Sequence, residues 1–199
     1  MSAPTEAVEA AYEKYLAAAR VQLTGTDVTL ADKAYEQLLA AGLLTTAELE
    51  MLISRAGRTH GPEFLATAYA EGKVDADTVT ALVGPVWSST EYPDRQLDHD
   101  TWRWLFDVAG FTVDGKSAPR PENPMRLYRG TVPERREDWS WSRDIKVALK
   151  FAAGVRGRPP GRLWVCSVPP AHMLAINTER GEDEVVVDTR GLRIVEAPR

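Results

Sequence analysis

Apolar positions in the first 110 residues recur at helical spacing and predict a run of helices. Glu6 to Arg20 is alanine-rich with apolar residues three and four apart. Thr29 is a candidate cap for a second helix that passes through Ala31, Ala34, Leu38 and Leu39 to Gly42. Thr45 and Glu48 have the spacing of a capping box ahead of Leu49, Leu52 and Ile53. Pro62 to Ala70 follows, then a short helix from Asp75 or Asp77 to Val83. Asp100 to Ala109 is a compact aromatic helix stopped by Gly110. The segments 41–53 and 71–83 echo each other as glycine, short turn and capped helix, which is too few copies to predict a solenoid.

The texture changes after residues 112–124, a turn-rich stretch with three prolines that reads as a linker. Beyond it come short runs rich in Val, Ile, Trp and Tyr: MRLYRG, DWSWS, RLWVCSV, MLAI, DEVVVD and LRIVEA. One helix interrupts them, Arg143 to Ala153, with Ser142 as a candidate cap and Ile145, Leu149 and Ala152 on one face. The expected fold class is therefore α+β, with a helical domain over 1–111, a linker over 112–124 and a mostly β part over 125–199.

Composition narrows the class. Of 199 residues, 44% are hydrophobic and 27% charged, as in soluble globular domains. No apolar run of about 18 residues is present, so no membrane association is expected. The N-terminus carries acids and no apolar stretch, so no secretory signal is expected. The single Cys166 excludes an internal disulfide and suits a reducing cytoplasm. One cysteine with the scattered His60, His99 and His172 makes a structural metal site an unpromising reading, and none is expected. Residues 1–120 hold 10 basic and 18 acidic side chains, a net of −8; residues 121–199 hold 14 and 11, a net of +3. Twelve of those 14 are arginines, which suit two-pronged phosphate binding; the imbalance reads either as a solvated surface or as a site for an anionic ligand in the C-terminal part. The acidic N-terminal part offers no basic track, so nucleic acid is disfavoured as a partner.

Residues 110–117, GFTVDGKS, satisfy the phosphate-loop pattern G-x-x-x-x-G-K-S. That site needs a strand before the loop and a helix after it. Here a predicted helix precedes, while Pro119, Pro121 and Pro124 follow. The segment is expected to be a turn around Asp114-Gly115.

Three elements in the C-terminal part carry candidate chemistry. Arg129 sits on a strand directly before Gly130. Trp139-Ser140-Trp141-Ser142 precedes the predicted helix, and strand alternation puts Ser140 and Ser142 on one face with both tryptophans on the other. Glu182-Asp183-Glu184 leads into three valines, and the same alternation puts Glu182 with Glu184 and Val185 with Val187. Each alone reads more readily as surface decoration: a surface arginine, a strand edge, a solvated turn. Their order within 56 positions, 129 to 184, is what makes them a candidate site.

That order resembles the arginine–serine–glutamate class of ADP-ribosyltransferases, whose fold is shared by cholera-toxin-like and clostridial-toxin-like enzymes, and in particular compact bacterial and bacteriophage members. The stretch SWSRDIKVALKFA is similar to the family's S-T-S strand and following helix, with Trp for the central Thr. The segment VPPAHMLAINTERGEDEVVVD is similar to the approach to its final catalytic strand. The likeness runs from Met125 to the C-terminus and leaves the helical part uncovered. Only ten residues separate Arg129 from Ser140, where many members carry longer helical structure, which implies a minimal core.

The resemblance implies a small mixed β split-sandwich core with one or two helices, and a mono-ADP-ribosyltransferase that uses NAD as substrate and modifies a protein. It implies that Glu184 stabilises the ribosyl cation and that Glu182 orients or deprotonates the acceptor. Arg129 would hold a phosphate or ribose, Ser140 would position the ribose and Glu184, and Gly130 would offer its backbone to the carboxamide. Ser142 is a candidate ligand or a helix cap, and Phe151 a candidate stacking partner for nicotinamide or a core residue. Arg156, Arg158 and Arg162 are candidate phosphate contacts, and Thr178 to Gly181 occupies the place of target recognition. Glu-x-Glu implies arginine as acceptor. The cytoplasm, a host's if the chain is a phage effector, is the expected location. NAD glycohydrolysis and a non-catalytic interaction module are the alternatives.

Overall fold

The computed structural model describes residues 30–154, 159–179 and 181–197. The predicted helix Glu6–Arg20, the Thr29 cap, Arg156 and Arg158 lie outside the described residues. The architecture is mixed α/β: among the described residues, seven α-helices and one open eight-stranded sheet. The helices are α1 (Leu30–Ala40), α2 (Thr46–Ala56), α3 (Gly61–Ala70), α4 (Ala76–Ser89), α5 (Pro93–Gln96), α6 (His99–Ala109) and α7 (Ile145–Ala152). The strands are β1 (Thr112–Val113), β2 (Lys116–Ser117), β3 (Met125–Thr131), β4 (Ser140–Ser142), β5 (Arg162–Val168), β6 (Met173–Asn177), β7 (Glu184–Val187) and β8 (Val195–Glu196). Among the described residues no helix is long and apolar enough to cross a membrane.

Local chemistry sets the helix starts. Glu48 N–H donates to Thr45 Oγ1 at 3.3 Å and Thr45 N–H to Glu48 Oε2 at 2.8 Å, which completes the capping box of α2. Asp75 caps α4 by accepting from Thr78 N–H, and Asp98 caps α6 by accepting from Thr101 N–H, both at 2.8 Å. The two echoing segments touch: Leu44 N–H donates to Lys73 O at 2.7 Å, and the Thr46 and Thr78 hydroxyls lie 3.0 Å apart. Helix α4 runs six residues past the expected end at Val83, straight through Pro85. Pro85 leaves the Ala81 carbonyl without its usual intrahelical donor. That oxygen faces Gly115, where a Cβ would stand only 2.5 Å from it.

The sheet order is β2-β1-β6-β7-β4-β3-β5-β8; β1 and β6 run parallel and every other neighbour pair is antiparallel. The phosphate-loop look-alike is a hairpin: β1 and β2 are joined by Asp114 and Gly115, both at positive φ (48° and 71°). Two consecutive left-handed residues are what a tight two-residue hairpin requires. No helix follows at 117, and the first residues of the stretch expected to link the two parts are instead strands of the sheet, because β1 finds β6 as a partner.

Buried side chains fall in two clusters, one on each side of the sheet. The helices and Trp139, Leu174, Ala175 and Val186 form one. Leu127, Trp141, Trp164, Met173, Val185 and Val187, with others, form the second. Trp139 and Trp141 therefore point into different clusters, contrary to strand alternation. Trp139 precedes β4, and its N–H donates to Asp94 Oδ1 of α5 at 2.9 Å instead of entering a ladder. A polar seam supports the same join. Arg103 of α6 and Arg190 both donate to Asp188 just after β7. Burial would raise this carboxyl, but those guanidinium hydrogen bonds hold it at about 2.

Helix α7 is tied by Asp144, whose Oδ1 accepts from Lys146 N–H at 2.7 Å, so Asp144 and not Ser142 is the cap. The helix packs through Ala148, while Ile145 and Leu149 remain 40% and 49% exposed. Close approach to β3 explains this. A Cβ on Gly130 would lie 1.8 Å from Ala148 O and 2.4 Å from Ala152 N. Gly130→Ala should therefore cost about 1–3 kcal/mol or more, because the obstacle is helix backbone that cannot swing aside. Urea denaturation that gave the same midpoint and slope as the native chain would contradict this packing.

Candidate functional site

Strands β4 and β7 pair with Ser142 opposite Glu184, Trp141 opposite Val185 and Ser140 opposite Val186. Opposed residues of an antiparallel pair share a face, so Ser140, Ser142 and Glu184 point the same way. The Ser140 hydroxyl donates to Glu184 Oε1. Glu184 is only 7% exposed, and two more donors reach it: Trp87 Nε1–H to Oε1 and Asn177 Nδ2–H to Oε2, both at 3.2 Å. Three donors on one carboxylate answer the cost of burying its charge.

Arg129 braces the strand that carries Ser140. Strands β3 and β4 are paired only at Tyr128 and Ser142, which leaves the Ser140 carbonyl without a β3 ladder donor. Arg129 Nη1–H donates to that carbonyl. Its Nε–H donates to Arg135 O at 3.0 Å, and Nη2–H to Asp138 Oδ2 at 2.9 Å. Asp138 also pairs with Arg135 at 2.6 Å. The charged fork is thus used first within the chain, as a strut between β3, the 133–138 turn and β4.

Glu182 is not in β7 and does not reach the site by strand alternation. Asp183 lies between the two glutamates at φ 47°, a left-handed conformation that Asp tolerates better than most residues. Arg143 Nε–H holds both oxygens of Asp183 at 2.9 Å and so fixes this turn. The Ser142 hydroxyl donates to Glu182 O at 2.8 Å and accepts from Asp144 N–H at 3.0 Å. Ser142 is therefore a tie between β4, α7 and the acidic turn, and its position as helix cap is taken by Asp144.

Arg129, Gly130, Ser140, Ser142, Phe151, Glu182 and Glu184 all line one cleft of about 560 Å³, within the range usual for small-molecule sites. Phe151 is half-buried and belongs to neither buried cluster. Gly130 is glycine for helix packing, since the space beside its Cα is filled by α7. Arg162 pairs with Glu196 at 2.7 Å, and Thr178 donates through N–H and hydroxyl to Asp114 at 2.6 and 2.7 Å. The opposite wall comes from the helical part, with Arg58, Trp87, Tyr92, Asp94 and Arg95. Arg135 and Arg95 place their guanidinium carbons 4.9 and 5.4 Å from the Tyr92 ring centre. None of these helical residues, nor Asn177, Asp138 or Arg135, stands out in the sequence as part of a site. Trp87 reads as core, which it is. Only its indole nitrogen, facing β7, gives it a second role. Among the described residues no group of three or more His, Cys, Asp or Glu side chains is placed to hold a metal ion.

One titratable pair lies at the base of the helical wall. His99 Nε2 and Asp94 Oδ1 are 3.0 Å apart, and the His99 ring stacks on Trp139 with centres 4.3 Å apart. Burial would raise Asp94, but its bonds to His99 and Trp139 N–H and the nearby Arg129 charge hold it below the ordinary 3.8. The bond to Asp94 raises His99 above the ordinary 6.5, against the opposing effect of burial. The His99 contribution to stability is complete below pH 6.5 and is lost as pH rises through the elevated value in the fold; the Asp94 contribution is lost only below pH 3.8. Thermal melts of the native chain should thus fall in Tm as pH climbs above 6.5, with that slope reduced in His99→Gln. Equal slopes in the two proteins would refute the assignment.

Neither a protein-family model, nor a curated protein, nor a solved structure matches this chain.

Proposed function

We propose that the chain is an NAD-dependent mono-ADP-ribosyltransferase that modifies a protein side chain, with arginine as the favoured acceptor, on a core of the split-sandwich type. The observation that carries this reading is the Ser140–Glu184 hydrogen bond in the cleft wall, with Arg129 bracing the backbone of Ser140 from the neighbouring strand. A carboxylate held there, with one acceptor position still open, suits a ribose hydroxyl and the positive charge that develops beside it. The arginines of the opposite wall suit a pyrophosphate.

The chemistry follows from the charges. The bond between nicotinamide and ribose C1′ breaks, and nicotinamide leaves with the bonding electron pair, so its ring nitrogen loses its positive charge. The cation left on the ribose is stabilised by Glu184. A guanidino nitrogen of the acceptor then forms the new bond to C1′ and gives its proton to Glu182. Among the described residues the Glu182 carboxylate has no hydrogen-bond partner, which leaves it available for that role.

Incubation with NAD and agmatine, a small guanidino acceptor, tests the reading. The native chain should release nicotinamide and yield agmatine heavier by one ADP-ribose in mass spectra. Glu184→Gln should lower nicotinamide release by about 10²–10³-fold, the usual effect of removing one transition-state partner. Glu182→Gln should lose transfer to agmatine more than it loses nicotinamide release. Free ADP-ribose as the sole product would assign glycohydrolysis instead. No nicotinamide release from the native chain would refute the enzyme reading in favour of an interaction module.

A further inference from the structure

We propose that Trp87, at the end of helix α4, is a positioning residue for Glu184, so that the helical part completes the site. The inference rests on the reading of Glu184 given above and extends it to a residue far away in sequence.

A carboxylate offers about four acceptor positions, two on each oxygen. Among the described residues Ser140 Oγ and Trp87 Nε1 occupy Glu184 Oε1, and Asn177 Nδ2 occupies one position on Oε2. One position remains, on Oε2. The indole thus does more than add a bond. By saturating Oε1 it leaves Oε2 as the oxygen open to a ligand hydroxyl, and it fixes the plane of the carboxylate. The indole is held in place by the packing around Trp87. It is fully buried, edge-on to Trp102 with ring centres 4.8 Å apart and stacked near Trp139 at 6.2 Å. Ser140 alone would not do this, because a single hydroxyl donor fills one acceptor position and leaves the other on Oε1 open.

A neighbouring contact keeps the arrangement tight. A Cβ on Gly84, one helical turn before Trp87, would stand 2.7 Å from Asn177 Oδ1. Glycine there lets α4 lie close enough to β6 for the Trp87 nitrogen to reach β7.

Replacing Trp87 by 3-benzothienylalanine through amber suppression exchanges the N–H for sulfur and keeps the ring shape. Thermal melts establish that the variant folds. With NAD as substrate, kcat for nicotinamide release should fall about tenfold or more, the worth of one hydrogen bond to a charged group, while KM for NAD changes less than about twofold. Trp87→Phe should show the same split, and tryptophan reinserted by the same suppression should restore kcat. An unchanged kcat in the folded variant, or a rise in KM alone, overturns the inference.

A second readout needs no activity. The Trp87 indole N–H resonance should move when Glu184 is changed to Gln. If the native chain releases no nicotinamide, the enzyme reading falls and this resonance alone decides the contact: a moved signal keeps Trp87 as the partner that holds Glu184, and an unmoved one overturns it.

Discussion

A carboxylate shielded from water at a sheet–helix junction obliges the chain to bring donors to it, and the fold can be understood from that obligation. Glu184 opens β7 where the Trp87 indole reaches across from α4, a helix that packs on the neighbouring β6. Its donors come from β4, β6 and α4, three elements spread over almost one hundred residues of sequence. Leaving such a group with fewer partners costs more than each bond contributes alone. The helical part and the sheet are consequently not independent in structure. Trp139 lies in the helical core, Asp188 is clamped by Arg103, and Asp94 takes the Trp139 amide.

The cleft exists because the sheet is incompletely zipped. Strands β3 and β4 meet at one residue pair, and the strut from Arg129 replaces the missing ladder. An arginine suits this position because its planar fork reaches a carbonyl of the next strand, a second carbonyl and a carboxylate together. The same residue therefore accounts for the opening and for its rigidity. Glycine at 130 lets α7 press onto β3 and form the floor of the cleft.

Local signals were readable wherever the chemistry is local. The Thr45–Glu48 box, the Asp75 cap and the Asp114-Gly115 turn each depend on residues within a few positions of one another, and each stands where the pattern puts it. Arg129, Ser140 and Glu184 fall in one cleft because strand order and spacing bring them there. What escaped the sequence depends on distant partners. Helix α4 passes Pro85 because Gly115, thirty residues on, leaves room beside the Ala81 carbonyl. Trp139 turns from its strand because Asp94 claims its amide, and Ser142 ceded the cap to Asp144 because it binds the Glu182 carbonyl. Trp87 shows the same limit. An aromatic on an apolar helix face predicts burial, and nothing in its neighbours tells where its nitrogen points.

The hairpin turn that imitates a phosphate loop has a structural duty of its own. Asp114 moors Thr178, and Arg143 moors Asp183, so the chain between 178 and 183 is pinned at both ends to the body of the protein. Between those anchors Gly181 N–H closes a turn on Thr178 O and the Ser142 hydroxyl takes the Glu182 carbonyl, so the approach to the buried carboxylate is stapled both to the hairpin and to β4.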